Sequence, residues 1–163
     1  MTKIEHLIIT EISETCLIDP LFRRKFGCAA PDTPIHVVAL YRVNDWTWLP
    51  LSYTHFQRFE NVILVGGACS DGNALRALPA GVADQIRDEG GSYLALLRWA
   101  FQRYSDQCEA FFGYCGDARA EVVDLQAGFR KAGPPHLLIY TPKPLDPAVE
   151  ARLIERIATI GPF

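Results

Sequence analysis

Five thiols, one histidine in a β-rich run and a glycine pair ahead of a helix are the residues of this chain best suited to chemistry. The cysteines are Cys16, Cys28, Cys69, Cys108 and Cys115. Their number is odd and no two stand as Cys-x-x-Cys, so neither a zinc knuckle nor a redox pair is written here. In a reducing compartment they serve as small apolar residues. A nucleophilic thiol is the other reading, and Cys69 and Cys115, each just past an apolar run, are placed best for it. His55 titrates in the range a general base needs; it reads equally as an ordinary strand histidine. Asp71 follows the apolar run Asn61–Cys69 and suits either a proton acceptor working through water or a turn aspartate. Tyr53 shares an alternation face with His55 and suits a pocket wall.

Three glycine clusters invite a phosphate reading. Gly67 to Gly72 has P-loop spacing but lacks the Lys-Ser/Thr that reaches phosphate and magnesium, and Gly66-Gly67 lacks Rossmann spacing. The third, Arg87-Asp88-Glu89-Gly90-Gly91-Ser92, opens the best amphipathic pattern in the chain, Leu94, Leu97, Phe101 and Tyr104. Free N–H groups and the positive dipole end of such a helix attract anions. The same residues also read as a glycine C-cap followed by a serine N-cap.

The elements that position these groups follow from pattern. Strands are predicted over Ile4–Ile12, Ile35–Val43, Trp48–Phe59, Asn61–Cys69, Glu109–Cys115 and His136–Thr141. Helices are predicted around Thr15–Phe26, Tyr93–Tyr104 and Asp117–Ala127, with Gly128 as stop, and after the Asp146-Pro147 cap. Leu75–Asp88 reads as helix interrupted by Pro79 and Gly81. Arg23-Arg24-Lys25 reads as a solvated helix face, and Trp46 and Trp48 as hairpin caps. The chain has 163 residues, 49% hydrophobic and 21% charged, with 16 basic against 19 acidic side chains. That length suits a single domain over residues 1–163, burying roughly two-thirds of its unfolded surface without a staple. A net charge of −3 argues against a nucleic-acid partner. No apolar run approaches the roughly 18 residues of a membrane span. Met1-Thr2-Lys3-Ile4-Glu5-His6 lacks the apolar core of a signal peptide, so a cytoplasmic location is expected.

Taken in order, three segments resemble the GNAT family of acyl-CoA-dependent N-acyltransferases. They are Arg87-x-x-Gly90-x-Ser92 at a helix start, the strand Phe111-Phe112-Gly113-Tyr114, and Asp117-x-x-Ala120-x-x-Val123-Asp124-x-x-Ala127-Gly128-Phe129. The likeness is clearest over residues 87–141. It implies an α/β fold of α+β type: a mixed, mostly antiparallel central sheet, helices on both faces and a splayed parallel strand pair in the middle. It also implies acetyl-CoA or another acyl-CoA as co-substrate and no metal. The acceptor would be a small-molecule or peptide amine, attacking the thioester directly, with no nucleic acid or membrane partner and with a homodimer left open. By the resemblance Val65, Gly66 and Gly67 would hold the pantetheine arm. Arg87, Gly90, Gly91 and Ser92 would hold the pyrophosphate, with Asp117 beside the cofactor. His55 or Asp71 would be the base. Asp124 stands where the family often has a tyrosine acid; a raised pKa lets an aspartate donate, and Tyr114 or Cys115 are substitutes. Asp71 to Ile86 reads as an insertion, a lid or substrate wall. A non-catalytic acyl-CoA-binding or partner-binding module of the same fold, and a thiol-dependent enzyme, are the alternatives.

Overall fold

The computed structural model describes residues 4–163; Met1, Thr2 and Lys3, part of the segment read for a leader, lie outside the described residues. Seven strands form one sheet: β1 (Leu7–Ile12), β2 (Ile35–Arg42), β3 (Trp48–Phe59), β4 (Val62–Ser70), β5 (Ala110–Tyr114), β6 (Arg130–Lys131) and β7 (Leu137–Tyr140). Their spatial order is β1-β2-β3-β4-β5-β7-β6. Every pairing is antiparallel except β4 with β5, at the centre. A parallel pair needs a long crossover, and the chain between Ser70 and Ala110 supplies it as three helices: α2 (Gly72–Arg76), α3 (Val82–Asp88) and α4 (Ser92–Tyr104). α1 (Asp19–Phe26), α5 (Ala118–Ala127) and α6 (Pro147–Ala158) complete the fold. No helix among the described residues is long and apolar enough to cross a membrane.

The sheet is covered on both faces, which is why β2 is buried almost end to end rather than alternating. On one face Leu96, Leu97 and Phe101 of α4 pack on Val37, Ala39, Phe56, Ile63, Val65 and Phe111. On the other, Leu21 and Phe22 of α1 meet Val38, Leu40, Tyr53 and Cys69, and Ile157 of α6 meets Val62, Leu64, Phe112 and Ile139. The interrupted helix of the sequence reading is two short helices, divided at Pro79 and at Gly81, whose φ is +81°. Ala74 and Ile86 from these helices and Leu78 from the turn between them close over Tyr41 and Leu51.

Two irregularities alter the alternation along β3. Its register with β2 shifts between Ala39 and Leu40, so Leu51 and Tyr53 lie in different clusters instead of sharing a face. Its register with β4 shifts between Tyr53 and His55, so Gly67 and Ala68 together stand against Thr54. That is a β-bulge, which bends the bulged strand and leaves one residue unpaired. Gly67 adopts φ +53°, and a Cβ there would run into the His55 ring and stand 2.9 Å from the Phe22 ring. Gly67→Ala therefore loses about 2–3 kcal/mol in urea denaturation. In a His55→Ala background the same change costs less, about 1–2 kcal/mol, because the backbone part and the Phe22 contact remain while the ring overlap with His55 is gone. Equal losses in the two backgrounds would show that the ring contact contributes nothing.

Candidate active site

β4 and β5 stay in register for four residue pairs, from Val62 with Ala110 to Val65 with Gly113. Beyond them the β4 bulge turns that strand aside and a cleft of about 320 Å³ opens. Its walls include Gly66, Gly67 and Ala68 from β4, Tyr114 and Cys115 at the end of β5, and Thr54 from β3. The Thr54 hydroxyl donates to the Gly66 carbonyl at 2.7 Å and fixes the bulge from below.

A second hollow of about 330 Å³ continues the first, with Ala68, Tyr93 and Ala120 as common walls, and ends at Gly90, Gly91 and Ser92. Asp71, Asp117 and Asp146 cap α2, α5 and α6 with side-chain oxygens, whereas α1, α3 and α4 have no side-chain cap, and of these three it is the α4 start, after Gly91, that borders the hollow. The first-turn amides of α4 are thus open to an anion. Gly91 (φ +98°) has nothing within 4 Å of where a Cβ would stand, while Gly90 (φ +92°) turns its own against Leu94. Ser92 does not cap the helix: it is buried, and its hydroxyl is bonded to that of Ser52 at 2.6 Å, which also meets Ser70 at 2.8 Å. The serine at this position thus ties the loop to the sheet.

At the junction of the two hollows sits a buried polar group. Asp124 is 5% exposed, and Tyr93 donates its hydroxyl to Asp124 Oδ1 at 3.0 Å. The Cys115 thiol lies beside the same carboxyl and donates to the Asp117 carbonyl at 3.3 Å. Burial raises the Asp124 pKa above the usual carboxylate range, outweighing the two hydrogen bonds that would lower it. Burial also pushes the Cys115 thiol up to about 11, so it is a poor nucleophile at neutral pH, and Cys69, pushed up to about 12, is poorer still.

The other expected residues divide. Tyr114, 38% exposed, stands at the cleft mouth with its ring against Phe163. Asp117 lines both hollows, but one oxygen caps α5 and the other meets Lys25 Nζ at 3.3 Å; those bonds hold its carboxyl below the usual range. Asp71 is engaged similarly, capping α2 and pairing with Arg24 at 2.5 Å. His55 does not line the cleft; its ring packs on Gly66 and Gly67 and against Phe22, and burial pushes its pKa down to about 4. Arg87 lines neither of these two hollows and pairs with Asp84 at 2.7 Å. Trp46 is almost wholly exposed. Two residues that line both hollows escaped the sequence reading. Lys25 belongs to the Arg23–Lys25 cluster, which reads as a solvated face, and Tyr93 directly follows the glycine loop, the signal that points to it.

No family model and no curated protein matches the chain. Solved structures do. The ribosomal-protein-S18-alanine N-acetyltransferase from Escherichia coli superposes with a TM-score of 0.54 at 8% identity, over 86% of this chain and 97% of that one. A Lactobacillus plantarum protein described as an N-acetyltransferase gives 0.54 at 16% identity, over 85% of this chain and all of the other. With its seven-stranded order and its parted parallel pair at the centre, the chain has the GNAT fold.

Proposed function

We propose that the protein is an acyl-CoA-dependent N-acyltransferase that moves an acetyl group to a primary amine. One observation carries the reading: a single groove joins the parted end of the β4–β5 ladder to the uncapped start of α4. The fit is chemical as well as spatial. The open side of Gly91 and the free first-turn amides suit a pyrophosphate, and the bulge backbone at Gly66 and Gly67 suits an extended pantetheine arm. The coenzyme supplies an activated acyl group as a thioester. Lys25, between the two hollows, adds positive charge along the path of the phosphates.

The chemistry then needs one proton moved each way. The amine nitrogen attacks the thioester carbonyl, the new C–N bond forms and the C–S bond breaks. The thiolate takes a proton from Asp124, whose burial keeps it protonated to higher pH than a surface aspartate. Tyr93 fixes the carboxyl's orientation through its 3.0 Å hydrogen bond. The proton released by the amine returns through water to Asp124. His55 stays neutral at neutral pH and shapes the bulge rather than carrying protons, and Tyr114 orients the acceptor at the mouth.

Two measurements test this. Acetyl-CoA at a hundred times its dissociation constant adds about 2.7 kcal/mol to stability, a rise of roughly 5–10 °C in the unfolding temperature; no shift up to millimolar ligand sinks the reading. Asp124→Asn lowers kcat about a hundredfold with little change in KM for the thioester. Because the folded pKa of Asp124 is raised, stability from its neutral form is full at low pH and lost as pH rises through that pKa. The asparagine variant accordingly melts above the parent at pH 8 and close to it at pH 4. Unchanged kcat removes Asp124 from the proton path, whatever the melting curves do.

A further inference from the structure

The groove does not stop at α4. A third hollow of about 200 Å³ adjoins the second, with Leu75 and Gly91 as common walls. It is built almost wholly by the α2–α3 segment, the stretch that reads as an insertion. Its six lining residues are Leu75, Arg76, Ala83, Ile86, Arg87 and Gly91: two cations, no carboxylate and an apolar remainder. Both guanidinium groups are held loosely. Arg76 reaches Asn73 within its own helix, and Arg87 pairs with Asp84 three residues before it, both side chains of that pair being more than half exposed. Such exposed local contacts are worth little and exchange readily, whereas a phosphate dianion accepts bidentate bonds from guanidinium.

The order along the groove decides what belongs there. Reactive thioester at the bulge and pyrophosphate at α4 leave the ribose and base of the coenzyme to come next. Their further phosphate is the one anion that remains unpaired. We propose that the α2–α3 segment builds a subsite for the 3′-phosphoadenosine end of the coenzyme, with Leu75, Ala83 and Ile86 against the nucleoside and Arg76 and Arg87 on the 3′-phosphate. This rests on the acyl-CoA reading above and extends it to a part of the chain that reading leaves unused. The insertion is then a cofactor-recognition element, not an acceptor lid.

Calorimetric titration with coenzyme A and with 3′-dephospho-coenzyme A tests the assignment. The parent protein binds coenzyme A at least about tenfold more tightly than the dephospho form. Arg76→Gln and Arg87→Gln each remove most of that preference while leaving dephospho-coenzyme A affinity unchanged, so the second ligand doubles as the check that the variants are folded. Equal binding of the two ligands by the parent, or a loss in Arg76→Gln that is the same for both, overturns the subsite and leaves the acyl-CoA reading intact. Binding of neither ligand by the parent overturns both.

Discussion

Between β4 and β5 the parallel ladder runs from Val62 and Ala110 to Val65 and Gly113, and then the strands part. Backbone amides and carbonyls beyond that point have lost their ladder partners in the middle of a sheet covered on both faces. Unpaired backbone groups in such a place cost free energy unless water or a ligand meets them. The rest of the structure makes the parting stable. The bulge at Gly67 bends β4 away, Thr54 secures the Gly66 carbonyl, and His55 and Phe22 press on the glycine surface from the α1 side. The pressing ring accounts for Gly67: a side chain and the ring would claim the same volume.

Against this backbone frame the polar groups are held by opposing effects. Asp124, Tyr93 and Cys115 form a small buried cluster in which desolvation favours neutral forms and hydrogen bonding favours the carboxylate. Desolvation is the larger, so the Asp124 carboxyl keeps its proton to higher pH than an ordinary aspartate does. Asp117, only seven residues earlier in sequence, has the opposite balance: it is half-exposed, accepts two backbone N–H bonds and faces Lys25, and it stays ionised. Two aspartates on one helix thus play different parts because one is inside the junction and the other at its rim.

Much of this was legible in the amino-acid sequence where local chemistry rules. The Asp146 cap, the Gly128 stop, the α4 stripe and the apolar strand at Val62–Val65 follow from residue type and period, whereas the parallel pairing of that strand follows only from the family resemblance. β6 was not legible, because two charged residues, Arg130 and Lys131, pair with β7 through backbone alone and leave no hydrophobic signature. The site was legible as a location more than as a set of roles. Gly90 and Gly91 mark the helix start, and Asp124 lies in the groove. Yet the partners of Asp71, the turn of Arg87 toward Asp84 and the inward bond of Ser92 depend on side-chain reach across the fold, which spacing does not encode. His55 shows the same limit: its alternation is right for a strand, and its burial against a bulge comes from a register shift that no pattern announces.

The hydroxyl contacts of β3 have one more consequence. Ser52 holds the start of α4 and Thr54, two residues along the same strand, holds the bulge. Both ends of the groove are therefore pinned to one extended segment, whose repeat along the chain is fixed at about 3.3 Å per residue. The span between the β4 bulge and the start of α4 cannot stretch without breaking buried hydrogen bonds. The width of the opening and the position of the α4 start are thus set together by one strand, and a change at either end is felt at the other.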